Sequence, residues 1–351
     1  MCSLPRWTHP FVAAVLLAAL PAQAATVQPP NAQEMIAALA RANAAVVGVR
    51  VMVDEEARSA ETLGQHRRGS GVMIAPDGLI LTIGYLMLEA EQIEIVTQDN
   101  KTLPARAVAY DLATGFGLLR PLLPLRAGSG VGAAVLGSSQ TLQPGEALMA
   151  VTGPQASDDG EVSMTRLVSK RAFSGTWEYH IDTALFTSPP LLANGANHSG
   201  APLFNQKGEL VGIGSLLVAD ATGQNQRLPG NMFVPVDLLR PILAEMQRSG
   251  TSAQSHRPWL GLNSSDQGGR IQIVRVSRDS PAELAGLEAG DVVLAVDGSK
   301  VATLADFYKK LWDRAAPDAE VSLTVLQGAD VKTLVLKAQD RLQTLKKPSG
   351  I

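Results

Sequence analysis

Short apolar segments separated by turn residues follow one another along most of the chain before position 220. Turn residues, such as those at 76–78 (PDG) and 207–208 (KG), separate them. Many short strands at this spacing are typical of an all-β barrel or sandwich. Segments with helical spacing at 31–43 and 238–247 precede and close the region. The strand-like segments are 46–53, 71–75, 79–83, 93–97, 105–110, 117–122, 147–153, 161–168 and 209–218.

A second pattern, which mixes strands with a helix, begins after position 257. We predict its helix at 306–314, with Phe307, Leu311 and Trp312 on the inner face. The polar, serine-rich stretch 247–257 between the two patterns predicts a linker. The strands of this second domain are predicted at 270–277, 291–298, 320–326 and 332–338. The predicted divisions of the whole chain are a signal peptide (1–24), an N-terminal helical segment (25–45), a first domain (46–246), the linker, a second domain (258–340) and a loose tail (341–351).

The first two dozen residues have the pattern of a secretory signal peptide. Arg6 supplies positive charge, 11–20 is an unbroken apolar run, and 22–24 (AQA) predicts cleavage after Ala24. Because so short an apolar run cannot span a bilayer as a helix, we favour cleavage over the alternative, an uncleaved membrane anchor. Cleavage removes Cys2, the one cysteine. We therefore expect a periplasmic or secreted protein whose mature chain has no membrane span.

Composition and charge exclude several classes of function. Hydrophobic residues make up 46% of the chain, which allows a sizeable buried core. The net charge is −3, so no basic excess attracts nucleic acid or an anionic membrane surface. A single cysteine excludes an intrachain disulfide framework and a thiolate metal cluster. No histidine and carboxylate spacing indicates a metal site, and no cofactor is implied.

The segment 280–301 (SPAELAGLEAGDVVLAVDGSKV) resembles the PDZ domains of bacterial periplasmic proteases. The resemblance implies a β-sandwich-like domain with two helices that binds peptides by strand addition to an open sheet edge. In such domains the amides of a preceding loop hold a C-terminal carboxylate, and the matching residues here are Trp259, Leu260, Gly261 and Leu262. Gly261 is expected to let these amides turn inward. The alternative is a PDZ domain that packs on the first domain and binds nothing.

Three stretches of the first domain resemble the HtrA/Deg family of trypsin-like serine proteases. They are 69–82 (GSGVMIAPDGLILT), 110–121 (YDLATGFGLLRP) and 196–215 (ANHSGAPLFNQKGELVGIGS). By this resemblance Tyr85 occupies the histidine position, Gly115 the aspartate position and Ser199 the nucleophile position of the catalytic triad. The resemblance implies a mainly β fold, in which a trypsin-like double six-stranded β-barrel is followed by the PDZ domain.

The residues at these positions differ from the family in chemical type. A serine hydroxyl needs an adjacent base to take its proton, and a third group to orient that base. The phenol of Tyr85 has an ordinary pKa of about 10 and keeps its proton at neutral pH. Gly115 has no carboxylate. The oxyanion hole is predicted at the backbone N–H groups of Asn197 and Ser199, with Asn197 at a family glycine position. We therefore interpret the chain as a pseudoprotease in which Ser199 is vestigial.

An active serine endopeptidase, which uses Ser199 with an unrecognised base, is the alternative interpretation. Candidate bases are His66, His180, His198 and Lys170, and we expect each of them to be an ordinary surface residue. A third interpretation is a structural envelope protein without a peptide ligand.

The resemblance and the departures together predict a peptide-binding protein of the cell envelope. It would act as an adaptor, a chaperone-like protein or a regulatory subunit in protein quality control. The expected partners are peptides or the C termini of unfolded proteins, with an active HtrA-like protease or a second copy of this chain as alternatives. Residues 25–45 contain none of the aromatics through which family members often form trimers, which puts trimer formation in doubt.

Overall fold

A computed structural model describes Met1 and residues 32–124, 132–155, 159–191, 198–314 and 316–347 of the chain. The predicted signal peptide and its cleavage after Ala24 therefore lie outside the described residues, apart from Met1. The helix predicted at 31–43 is present as α1 (Ala32–Ala44). In the described part of the chain, no helix combines the length and the apolar character needed to cross a bilayer.

Six antiparallel strands after α1 close into a first barrel. The elements are β1 (Val46–Val53), α2 (Ala60–Leu63), β2 (His66–Met73), β3 (Ile80–Ile83), β4 (Ala90–Val96), β5 (Thr102–Tyr110) and β6 (Phe116–Pro121). The strand order around the barrel is β1-β2-β3-β6-β5-β4. β1 shows why its sequence is apolar almost throughout: Val47 and Val49 belong to one buried cluster and Val46 to another, so both faces of the strand are covered.

Six further strands close into a second barrel. They are β7 (Ala147–Val151), β8 (Val162–Gly175), β9 (Tyr179–Ser188), β10 (Pro202–Phe204), β11 (Leu210–Val218) and β12 (Gly230–Pro235). The order is β10-β11-β12-β9-β8-β7. The predicted mainly β fold with two six-stranded barrels is confirmed. β8 and β9 form a long hairpin in which Gly175 pairs with Tyr179, so residues 176–178 are its tip.

The two barrels share a buried core. One apolar cluster combines Phe116 of the first barrel with Phe186 and Ile213 of the second, and all three side chains are fully buried. Because apolar burial is worth about 25 cal/mol per Å², this shared cluster holds the barrels against each other. Residues at the junction of the two barrels therefore have fixed relative positions.

The helix predicted at 238–247 is shorter than expected. A 3₁₀ segment, Val236–Leu238, is followed by α3 (Leu243–Ser249). Pro241 lies between them, and a proline has no N–H for a helical hydrogen bond and clashes with the preceding turn. α3 ends at Gly250, whose φ of 78° is the left-handed conformation that commonly terminates helices.

The predicted linker 247–257 is not a free tether. The carbonyl of Gly250 accepts a hydrogen bond from the Tyr110 amide, and the hydroxyls of Ser252 and Ser255 donate to the fully buried carboxylate of Asp111. A buried carboxylate requires such donors, because its desolvation is costly without them. The serine-rich composition, which indicated flexibility, therefore serves to attach this segment to the first domain.

The second domain is an open sheet with helices packed on it. Its elements are β13 (Pro258–Trp259), β14 (Leu262–Ser265), β15 (Ile271–Val276), α4 (Pro281–Leu284), β16 (Val292–Val296), β17 (Ser299–Lys300), α5 (Leu304–Trp312), β18 (Glu320–Gln327), β19 (Asp330–Lys337), β20 (Gln339–Asp340) and α6 (Arg341–Thr344). The main sheet has the order β14-β15-β16-β18-β19, so β14 is an edge strand. α5 buries Phe307 and Leu311 as predicted, and Tyr308 as well, while Trp312 is only half-buried.

The predicted loose tail is packed in its described part, 341–347. The guanidinium of Arg341 in α6 donates to the carbonyl of Trp177 at 3.0 Å. The amide of Lys346 donates to Glu89 in the first domain at 3.2 Å. These two contacts join the tail to the first domain, which composition alone did not indicate.

Candidate functional sites

Ser199 lies at the junction of the two barrels, just before β10. Its carbonyl accepts a hydrogen bond from the Ser70 amide of β2 at 2.8 Å, and the Gly200 amide donates to Gly214 of β11 at 2.8 Å. Gly200 has a φ of +77°, and a Cβ there would lie 2.0 Å from the Ser70 carbonyl oxygen. Only glycine fits this close approach. The backbone that carries Ser199 is thus held by both barrels.

The side chain of Ser199 meets Tyr85, which lies in the 3₁₀ segment Gly84–Met87 after β3. The Tyr85 hydroxyl oxygen is 2.6 Å from the Ser199 Oγ and 2.7 Å from the carbonyl oxygen of Ser215. A phenol has one proton and a carbonyl only accepts, so Tyr85 donates to Ser215. The remaining hydrogen bond must be donated by the Ser199 hydroxyl to Tyr85. The serine proton is therefore already engaged by an oxygen that cannot remove it.

Burial changes the acidity of Tyr85 in the direction away from a base. Desolvation raises its pKa to about 12, although the hydrogen bond with Ser199 opposes this rise. At neutral pH the phenol therefore stays protonated, with a wider margin than an exposed tyrosine has.

The backbone of Gly115 is hydrogen-bonded to that of Gly84, the residue before Tyr85. The φ of Gly115 is +82°, and its carbonyl accepts from the Gly84 amide at 2.7 Å. The Tyr179 hydroxyl borders the space that a side chain at this position would enter, 3.4 Å from an ideal Cβ, and donates to the Thr114 carbonyl at 2.7 Å. The nearby carboxylate of Asp111 is engaged by Thr114 and by the two serines of the linker segment.

Of the two residues predicted to form the oxyanion hole, the structure describes Ser199. Asn197 lies outside the described residues, so its pairing with the Ser199 amide stays a prediction. Ala201, two residues after Ser199, is fully buried, and its amide donates to the His198 carbonyl at 3.1 Å.

Three of the candidate bases are His66, His198 and Lys170, and they differ in exposure and partners. His66 is exposed on β2, and Lys170 of β8 donates to the carbonyls of Ser139, Gln140 and Leu142. His198 is half-buried, and burial lowers its pKa. None of the hydrogen bonds found for these side chains among the described residues reaches the Ser199 hydroxyl.

His180 was expected to be an ordinary surface residue, and this expectation is wrong. It lies in β9 and is 8% exposed. Its Nδ1 is 2.8 Å from the Ser174 Oγ and its Nε2 is 3.3 Å from Asp182. Ser174 is its cross-strand partner in the hairpin, which explains both the burial and the bond. Both ring nitrogens of His180 thus have hydrogen-bond partners within the hairpin, Ser174 and Asp182.

The second candidate site is the loop that precedes β14. The amides of Leu260, Gly261 and Leu262 all point at one carboxylate, that of Glu178 at the tip of the β8–β9 hairpin. The nitrogen–oxygen distances to Oε1 are 3.2, 2.8 and 2.8 Å, and Leu260 also lies 3.1 Å from Oε2. Gly261 has a φ of +86°, which turns the three amides to the same side. Trp259 contributes no amide to this group and pairs with Gln339 in β13–β20.

Sequence analysis missed Glu178. An acidic residue at a hairpin tip carries no signal that it will meet a loop more than eighty positions away, so only the arrangement of the domains identifies it. Among the described residues, no group of three or more His, Cys, Asp or Glu side chains is placed to hold a metal ion.

The sequence matches two family models. The trypsin-like peptidase domain matches over residues 69–213 and the PDZ domain over residues 258–338. A probable periplasmic serine endoprotease, DegP-like, of Pseudomonas savastanoi pv. phaseolicola is 30% identical over 288 residues, which cover 74% of this chain and 56% of the relative. The putative serine protease HhoA of Synechocystis is 27% identical over 283 residues, which cover 74% of this chain and 68% of the relative.

Solved structures share the fold. The HtrA-type protease AlgW with decapeptide has a TM-score of 0.52 at 22% identity and covers 90% of this chain and 99% of its own. The serine endoprotease from Yersinia pestis has a TM-score of 0.52 at 22% identity, with 89% of this chain and 99% of its own covered. At this identity the likeness concerns the fold. The chain spans about half the length of the first curated relatives, 56%, 58% and 49% of them.

The double barrel, the position of Ser199 and the amide loop define a trypsin-like peptidase domain joined to a PDZ domain. The chain thus matches both domain models and is similar to proteins named DegP-like serine endoproteases.

Proposed function

We propose that this protein is a non-proteolytic, HtrA-like peptide-binding protein that holds protein C termini through its PDZ domain. The observation that carries the proposal is the convergence of the Leu260, Gly261 and Leu262 amides on one carboxylate oxygen. Three backbone donors aimed at one point form an anion-binding concavity, and a C-terminal carboxylate is the group that such sites take in peptides. Edge strand β14 begins at this loop and offers the rest of the peptide a strand partner.

The loss of proteolysis is inferred from the surroundings of Ser199. Its hydroxyl donates to a neutral phenol whose pKa is about 12, and position 115 carries no side chain. Losing the base and its orienting carboxylate together removes several orders of magnitude from the rate of peptide hydrolysis. The alternative, an active endopeptidase that uses Ser199, would need a base from the residues outside the described part or from a second chain.

The signal pattern at 1–24 and the names of the periplasmic DegP-like relatives support action in the periplasm. In that compartment an inactive member of the family would serve as an adaptor or regulatory subunit in protein quality control.

The test is a binding titration with two matched peptide pools. The probe is a pool of fluorescein-labelled decapeptides that end in valine, leucine or phenylalanine, either with a free C-terminal carboxylate or as the C-terminal amide. We expect saturable anisotropy changes with the free carboxylates and none with the amides. Binding of both pools alike, or of neither, would reject carboxylate capture. Casein digestion is followed in parallel, and digestion that disappears in the Ser199→Ala variant would establish the endopeptidase instead.

A matched pair of glycine variants tests where the peptides bind. Gly261 and Gly268 have the same φ of +86°, but a Cβ at position 261 would lie 2.2 Å from the Ser280 Cβ, whereas nothing lies within 4 Å at position 268. The backbone strain of an alanine is thus the same in both variants, and only the first disturbs the amide loop. We expect Gly261→Ala to weaken peptide binding and Gly268→Ala to leave it unchanged.

A further inference from the structure

We propose that Glu178 is an internal ligand of this PDZ domain, so that the hairpin tip 176–178 must leave the groove before a C-terminal peptide can enter. This inference rests on the proposed function, because it concerns the regulation of the same amide loop. The carboxylate of Glu178 stands where the C-terminal carboxylate of a peptide would be held, and its side chain is 6% exposed.

The backbone of the hairpin tip also takes the place of a peptide. The Ser264 amide of β14 donates to the Thr176 carbonyl at 2.8 Å, two residues before Glu178. Ser264 is fully buried and lies two residues after Leu262, the last amide on the carboxylate. The tip therefore contacts the free edge of the sheet at successive outward-facing positions, which is the pattern of strand addition.

The opposite wall of the groove holds the same segment. The Tyr308 hydroxyl of α5 donates to the Gly175 carbonyl at 2.8 Å, and the Glu178 amide donates to the Tyr308 hydroxyl at 3.3 Å. The segment thus lies between β14 and α5, with polar contacts to both. A peptide and the hairpin tip cannot occupy this space together.

Two further contacts attach the hairpin from outside the groove. Lys309 of α5 pairs with Asp182 at 2.6 Å, and Arg341 donates to the Trp177 carbonyl at 3.0 Å. The Asp182 side chain is 80% exposed, so this pair is worth little on its own. It provides a control, because it joins the same hairpin to the same domain without touching the amides.

The internal ligand is held at a cost, which makes its displacement feasible. Burial raises the pKa of Glu178 from its ordinary value near 4.5 to about 7, although the three amides and Arg341 oppose the rise. At neutral pH a part of the binding energy is therefore spent on desolvating the carboxylate. Even with a moderate affinity for the groove, Glu178 competes with a free peptide, because a ligand tethered to the same chain has an effective concentration in the range of about 1 mM.

Competition predicts the effect of removing the carboxylate. A competing closed state reduces the apparent peptide affinity by the fraction of molecules that are open. We expect the Glu178→Ala variant to bind the free-carboxylate decapeptide pool at least about tenfold more tightly than the unchanged protein. The Asp182→Asn variant should change the affinity less than about twofold. Equal affinities of the unchanged protein and the Glu178→Ala variant would overturn the proposal.

Amide hydrogen exchange of residues 260–264 tests the internal ligand separately from the proposed function, because the measurement is made without added peptide. In the unchanged protein we expect these amides to be protected, and we expect the protection to fall at least about tenfold in Glu178→Ala but not in Asp182→Asn. Unprotected amides in the unchanged protein would reject the internal ligand whatever the peptides do. Loss of protection in Glu178→Ala, together with no peptide binding by any folded variant, would instead support the internal ligand and reject the proposed function. A thermal unfolding transition in each variant shows that it is folded.

Discussion

The hydroxyl oxygens of Tyr85 and Ser199 lie 2.6 Å apart, and the proton between them belongs to the serine. This follows because the single proton of Tyr85 is given to the Ser215 carbonyl at 2.7 Å. A catalytic histidine at position 85 would present a lone pair with an affinity for that proton near neutral pH. The phenol presents an oxygen that accepts a hydrogen bond but does not accept the proton itself.

The direction of these hydrogen bonds predicts that Tyr85→Phe lowers the free energy of unfolding more than Ser199→Ala does. Tyr85→Phe leaves the buried Ser215 carbonyl without its donor and Ser199 without its acceptor, and should lower the free energy of unfolding by about 1–3 kcal/mol. Ser199→Ala keeps the bond from Tyr85 to Ser215 and should cost less than about 1 kcal/mol. Urea unfolding of both variants measures the difference. A larger loss in Ser199→Ala than in Tyr85→Phe would contradict the assigned direction.

Any side chain at position 115, including an aspartate, is expected to destabilise the folded protein. The φ of Gly115, +82°, is strained for other residues, so Gly115→Ala should lower the free energy of unfolding by about 1–2 kcal/mol. Gly132 is the control, because its φ is outside this region and a Cβ there meets nothing within 4 Å. Gly132→Ala should change the stability by less than about 0.5 kcal/mol. Equal effects in urea unfolding would show that the backbone at position 115 is not constrained.

All four tyrosines should titrate abnormally in the folded protein. Burial raises the pKa of Tyr85 to about 12, and it raises the pKa values of Tyr110, Tyr179 and Tyr308 as well. The folded protein therefore keeps protons that the unfolded chain releases, and its stability is lost as the pH rises above about 10. Tyrosinate absorbance should stay near zero in the folded protein at about pH 10 and appear together with unfolding. Gradual titration before unfolding would contradict this prediction.

The occupied state of the PDZ groove should depend on pH through Glu178. Its pKa is about 7 in the groove and near 4.5 in water, so the closed state binds the extra proton and is favoured at lower pH. The charged and titratable groups that face this carboxyl are Arg341 of α6 and Tyr308 of α5, and burial raises the pKa of Tyr308 further above this pH range.

The measured quantity is the peptide affinity of the unchanged protein divided by that of the Glu178→Gln variant at the same pH. This ratio should rise on the order of tenfold from about pH 5 to 7. The peptide's own carboxylate affects both proteins equally, so the ratio isolates Glu178. A ratio that is constant, or that moves in the opposite direction, would contradict the assignment of the raised pKa to the groove.

The fold was largely predictable from the sequence, because apolar periodicity and turn residues act locally. The strands at 46–53, 93–97 and 320–326 appear within a few residues of the predicted bounds. β9, β10 and β12 were not predicted. β10 has three residues, too few to show a period, and β12 contains both glycine and proline, which usually interrupt strands. Closure of the barrel overrides these weak local preferences.

In the two candidate sites, only the residues that belong to sequence motifs could be predicted. The motifs placed Tyr85, Gly115 and Ser199 in one neighbourhood and identified the loop before β14. They could not supply Glu178, the Ser215 carbonyl or the role of Ser255 on Asp111, because each contact joins segments that are distant in sequence. Polar composition also misled at 247–257 and 341–347, where polar side chains and amides pair across the domains.

The central claim is that the Ser199 hydroxyl is not activated, and covalent labelling with a fluorophosphonate probe tests it most directly. Trypsin serves as the positive control and Ser199→Ala as the background. We predict that the unchanged protein is labelled no faster than Ser199→Ala from about pH 6 to 9, because Tyr85 holds its own proton over this whole range. Rapid, stoichiometric labelling that Ser199→Ala abolishes would contradict the account.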